Sequence, residues 1–147
     1  MSFKTDVTQV LGADVFRKGL GALRQTDVAH VSAQRPREIK GSADVDASLA
    51  GALPNAARWD YVVGRTQGNI HQTHWIEVHP ASASKNVHEI EKKLAWLMAW
   101  LRDKPLAKYP RDVVWIASGK SAFNARSPDI KALAAKGCRF VGGHLHL

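Results

Sequence analysis

Two carboxylates, Asp60 and Glu77, and one imidazole, His79, are the residues whose types and spacing could do chemistry. They fall in RWDYVVGRTQGNIHQTHWIEVHPA, a stretch from Arg58 to Ala81 whose alternation of apolar and polar residues predicts a β-hairpin. A pair of acids on a hairpin can share a hard cation such as Mg²⁺, which needs only one or two carboxylates beside waters and phosphate oxygens. That ion polarises a phosphoryl group and acidifies a bound water. Asp60 and Glu77 are therefore the candidate metal ligands. His79 lies on the same strand face as Glu77, and it is the candidate general base near neutral pH, where neutral imidazole is plentiful.

The turn decides whether the acids can meet. With Gln67-Gly68 as a two-residue loop, Thr66 pairs with Asn69, Asp60 faces Trp75 and Arg58 faces Glu77, all four on one side of the hairpin. Asp60 and Glu77 are then diagonal neighbours, about 7 to 8 Å apart at the backbone. The same register offers a simpler use for Glu77, a cross-strand ion pair with Arg58 worth ~0.2 to 1 kcal/mol. A slip of one residue would send the acids to opposite faces and remove the metal reading.

A helix must follow the hairpin. Asn86 is the expected N-cap with Glu89 at the capping-box position, and Arg102, Lys104 and Pro105 mark the end. Val87, Ile90, Leu94, Leu97, Met98 and Leu101 form its core stripe. At 100° per residue, Trp96 and Trp100 fall away from that stripe, beside Glu89, Lys92, Lys93 and Asp103. Two indoles on a polar face call for a cover, either another segment of this chain or the second subunit of a homodimer, with base stacking a third use.

Around this unit the pattern is coarser. Apolar residues from Val7 to Leu23 recur at helical spacing and predict one helix over 5–24, breakable at Gly12. Residues 26–57 hold a short strand at Val28 to Val31, a basic loop RPREIK and a short helix around Asp44 to Leu53 ended by Pro54, and could form a mobile arm. Asp112 to Ala117 is a buried strand, Ser127-Pro128 opens a helix through Lys136 that Gly137 ends, and Cys138 to Val141 is a last strand. The order is that of a single α/β domain over 1–147 with a mixed central sheet flanked by helices.

A helix, a hairpin bearing Asp60 and then Glu77-Val78-His79, a helix packed on the sheet and a further strand together resemble the PD-(D/E)XK restriction-endonuclease-like superfamily over roughly residues 5–117. The resemblance implies a restriction-endonuclease-like sandwich in which Asp60 and Glu77 hold Mg²⁺ and a third residue, normally Lys, orients or deprotonates the attacking water. His79 stands at that Lys position, and no Pro precedes Asp60. Lys92 or Lys93 of the following helix would be the stand-ins for the missing lysine. A nuclease-like domain follows, hydrolysing nucleic acid or binding it after loss of activity.

Charge agrees with an anionic partner, DNA or RNA. The 147 residues carry 21 Lys+Arg against 13 Asp+Glu, a net +8, and a positive field speeds encounter with polyanions. The basic residues are dispersed, which solubility alone would also explain. No apolar run approaches the ~20 residues of a membrane span, and the polar opening MSFKTDVTQV has no signal-peptide h-region. With a single cysteine, Cys138, a reducing cytoplasmic setting is the expectation.

Other motifs carry less. His71 and His79 alternate away from His74, so three histidines on that strand would need a bulge to hold zinc, and His144 with His146 is the remaining pair. Ser118-Gly119-Lys120-Ser121 imitates the end of a phosphate loop, but Val114 stands where the first glycine belongs, so no Walker A site is read. No GxSxG sequence marks a serine hydrolase. The alternative class is a non-catalytic, dimeric interaction protein that uses the Trp96 and Trp100 face.

Overall fold

Helix α1 spans Phe3–Leu11. In this computed structural model, which describes residues 2–147, Ser2 Oγ accepts the Thr5 amide and caps its start. The helix expected over 5–24 ends at Gly12, which takes φ +120°, a conformation that L side chains rarely adopt. Beyond it the chain crosses to the sheet, where Arg17 and Ser42 exchange both backbone hydrogen bonds.

The stretch 26–57 supplies a strand that the sequence pattern does not announce. After α2 (Gln25–Val28), β1 (Val31–Ser32) and a 3-10 turn at Pro36–Glu38, strand β2 covers Ile39–Asp44. Its sequence, IKGSAD, lacks the β-branched alternation of a strand because the neighbouring chain lies too close for side chains. A Cβ on Gly41 would sit 2.2 Å from the Phe16 ring. Asp44 then caps the short α3 (Val45–Leu49) by accepting the Ala47 amide at 2.8 Å.

Strands β3 (Tyr61–Gln67) and β4 (Ile70–His79) form the expected hairpin with its turn one residue later. Gly68-Asn69 is the loop, Gly68 takes φ +61°, and Gln67 pairs with Ile70. Helix α4 (Ser84–Leu101) carries the chain to β5 (Arg111–Ala117), and α5 (Pro128–Ala135) carries it to β6 (Cys138–Phe140). The sheet order is β2-β3-β4-β5-β6, antiparallel through β4 and parallel from β4 to β6. A two-residue strand β7 (Leu145–His146) pairs with β1 in a separate small sheet. The molecule is α/β, with a mixed five-stranded sheet flanked by helices.

Alternation sorts the sheet into two cores. Trp59, Val62, Trp75, Val113 and Trp115 pack under Val87, Ile90, Leu94, Leu97 and Leu101 of α4. Tyr61, Val63, Ile76, Val114 and Ile116 face Leu23, Val31 and Leu145 on the other side. A polar ladder crosses four strands on that second side. Arg65 Nε donates to His74 Nε2 at 3.2 Å, His74 Nδ1 lies 2.8 Å from Asp112 Oδ2, and Arg139 grips Asp112 with two nitrogens. Burial opposes ionisation of Asp112, but the bonds from Arg139 and His74 prevail and hold its carboxyl well below the usual range.

Two details of α4 depart from expectation. The helix starts at Ser84 after Ala83, so Asn86 lies inside the first turn, and its Oδ1 reaches back to accept the Ser82 and Ala83 amides at 3.0 and 3.1 Å. Trp96 and Trp100 are half-buried by this chain itself. Their rings stack at 5.4 Å, and Trp100 sets its edge against the buried Trp75 at 6.2 Å. Among the described residues no helix is long and apolar enough to cross a membrane.

Candidate functional site

Strands β4 and β5 end, β3 begins and α4 begins at one edge of the sheet. The ladder ends at Tyr61 and Ile76, one residue short of both acids, and its register points to Asp60 opposite Glu77 in place of the diagonal expected. Moving the loop by one residue changes the pairing by two, so the strand parity of the expected register is kept. Two hydrogen bonds lock them. The Asp60 amide donates to Glu77 Oε1, and the Val78 amide donates to Asp60 Oδ2, each at 3.1 Å.

Glu77 is 1 % exposed. A carboxylate so deep needs a cation or a proton. Lys93 Nζ provides the charge at 3.0 Å from Glu77 Oε2 and donates also to the Arg58 carbonyl at 2.9 Å. The expected Arg58 to Glu77 pair does not form, because Arg58 turns to Asp46 Oδ1 at 2.9 Å and the Leu53 carbonyl at 2.6 Å. Of the two candidate lysines, Lys93 lies on the flank of α4 that faces the hairpin. Lys92 is exposed on another flank, beside Glu91, Met98 and Lys136, and does not join the site.

His79 links the buried acid to the helix. Its Nδ1 lies 3.6 Å from Glu77 Oε2 and its Nε2 3.1 Å from Glu89 Oε1, which also accepts from Asn86 Nδ2 at 2.8 Å. Glu77 does most to raise the basicity of the imidazole; burial opposes this, and Glu89 adds to the rise. With both nitrogens facing carboxylates, His79 takes a proton from water only after one contact opens. Burial, with the charge of Glu77 behind it, pushes the Asp60 carboxyl up to about 7.

The donors suit a hard divalent cation in kind, being carboxylate oxygens, those of Asp60 on a half-buried residue and those of Glu77 on a buried one. They are few. Among the described residues no group of three or more His, Cys, Asp or Glu could enclose a metal, so water and phosphate oxygens would have to complete the shell. The main surface clefts are lined by other residues.

The other histidines weighed as zinc ligands do not join this cluster. His71 bonds Thr66 near the hairpin turn, His74 is in the ladder on the opposite face, and His144 and His146 both contact Ser32 on β1. Cys138 is buried, and burial pushes its thiol up to about 12, which makes it inert. Glu89 is the site residue that sequence reasoning assigned only to a helix cap. Its place ten residues after His79 is legible once the first turn of α4 is known to follow β4 closely. No family model, curated protein or solved structure matches the chain.

Proposed function

We propose that the chain is a nuclease-like domain of the PD-(D/E)XK restriction-endonuclease-like type, acting on or binding nucleic acid through the edge that holds Asp60, Glu77, His79 and Lys93. The observation that carries this reading is the meeting of Asp60 and Glu77 across the hairpin with the Lys93 ammonium on the same carboxylate. The element order agrees with it: α1, three antiparallel strands, α4, and β5 parallel to β4. In this reading β2 is the strand missing from the sequence pattern. Lys93 takes the place of the motif lysine that His79 replaces.

Asp60 and Glu77 would hold Mg²⁺, whose chemistry when bound is to neutralise phosphoryl charge and lower the pKa of a water. Lys93 orients Glu77, and its ammonium adds positive charge where a phosphate would approach. His79, held between Glu77 and Glu89, is placed to hand its proton to a departing oxygen. Labelled DNA and RNA incubated with Mg²⁺ or Mn²⁺ test the reading. Cleavage that is lost in both Asp60→Asn and Glu77→Gln is expected, whereas cleavage that survives both substitutions removes these residues from the chemistry.

The Trp96 and Trp100 stack favours a second reading, a non-catalytic interaction protein that dimerises through this half-exposed face. Concentration-dependent mass by sedimentation, with no binding of nucleic acid at low salt, would establish it in place of the first.

A further inference from the structure

The Ser118-Gly119-Lys120-Ser121 segment fails as a Walker A loop, yet the fold brings it to the candidate site. Ala117 pairs with His79 in the β4–β5 ladder, and the Ser118 amide donates to the His79 carbonyl at 3.2 Å. At its far end the Ala122 amide donates to the Ala81 carbonyl at 2.9 Å. The loop is therefore pinned at both ends to the segment that follows His79. The three amides between, those of Gly119, Lys120 and Ser121, donate to nothing among the described residues.

All four residues are exposed, and a Cβ on Gly119 would meet nothing within 4 Å. Four residues past Ala81, to which the loop is pinned, Lys85 stands exposed in the first turn of α4. Neither Lys85 nor Lys120 has a carboxylate within the 4.0 Å of an ion pair among the described residues, although Lys85 lies in the field of Glu89. Free amides and unpaired ammonium groups can hold an anion, the ammonium charge offsetting the negative field of Glu89 that reaches Lys85.

We propose that residues 118–121, with Lys120 and Lys85, form a subsite for a backbone phosphate of the nucleic acid, next to the phosphodiester that faces Asp60 and Glu77. This rests on the nuclease-like reading and adds to it the means by which the polymer is held at the edge. The subsite grips phosphate and no base, so it recognises the backbone of DNA or RNA without regard to sequence.

Lys120→Gln and Gly119→Pro test it, the second by deleting an amide donor in an exposed loop, with cooperative thermal unfolding as the control for folding. Binding of labelled DNA and RNA oligonucleotides at several salt concentrations and Mg²⁺-dependent cleavage are measured on the full chain. Each variant is expected to weaken binding and raise KM several-fold with kcat nearly unchanged, and Lys120→Gln to lower the salt slope by about one. Unchanged binding, KM and salt slope in both variants, while Asp60→Asn abolishes cleavage, would overturn this inference and leave the nuclease reading standing. A wild-type chain that neither binds nor cleaves would overturn both.

Discussion

Lys93 Nζ lies 3.0 Å from Glu77 Oε2, so the helix after the hairpin neutralises the most deeply buried acid of the hairpin. The same ammonium donates to the Arg58 carbonyl beside Trp59 and Asp60, and one side chain thus fixes the spacing of α4, β4 and the entry to β3. The contact has a structural role whatever the chemistry of the site.

Lys93→Met should strand Glu77 without its cation. Because Lys93 is itself partly open to water, the expected loss is ~1 to 4 kcal/mol, below the upper range for breaking a fully buried pair. Urea unfolding measures it, and adding Glu77→Gln to the same chain should recover much of the loss. A single variant as stable as wild type would mean that Glu77 is not buried as described.

Asp60 gives stability a defined dependence on pH. Its folded carboxyl is raised to about 7, above its ordinary value of 3.8, so the folded state binds the proton more tightly than the unfolded chain. The cost is absent below about pH 4, grows as pH rises, and is complete above pH 7. Asp60→Asn should therefore stabilise the protein by ~1 to 4 kcal/mol at pH 8 and by little at pH 4. A variant that is destabilised equally at both values would contradict the assignment.

Both indoles pack against the core, but Trp100 also sets its ring edge against the buried Trp75, whereas the aromatic partner of Trp96 is Trp100. Trp100→Glu should lower the unfolding midpoint more than Trp96→Glu, with an unchanged mass by sedimentation. Conversion of a dimer to a stable monomer by either substitution would show that a second copy provides the cover.

What the sequence made legible follows from where the signal is local. The continuous apolar run of β5 and the Pro128 and Gly137 boundaries of α5 depend on neighbours in the chain, and they stand where expected within a residue or two. That Asp60 and Glu77 come together was legible because strand parity survives a turn that moves by one residue. Strand β2 was not, because Gly41 and Ser42 are chosen by the approach of Phe16 and Arg17, a contact between distant segments. The reach of Lys93 was hidden for a related reason: a helical wheel places its Cα away from the core stripe, but the long side chain runs along the flank to Glu77. Asn86 shows a third limit, since an Asn can satisfy backbone amides from the cap position or from inside the first turn.

The most direct test of the proposed centre is anomalous diffraction from crystals grown at pH 8 and soaked in Mn²⁺, collected for wild type and for Asp60→Asn. The account predicts a peak in bonding contact with carboxylate oxygens of both Asp60 and Glu77 in the wild type and none in the variant. Wild-type crystals with Glu77 still on Lys93, no peak at this edge, and Mn²⁺ bound elsewhere would contradict it.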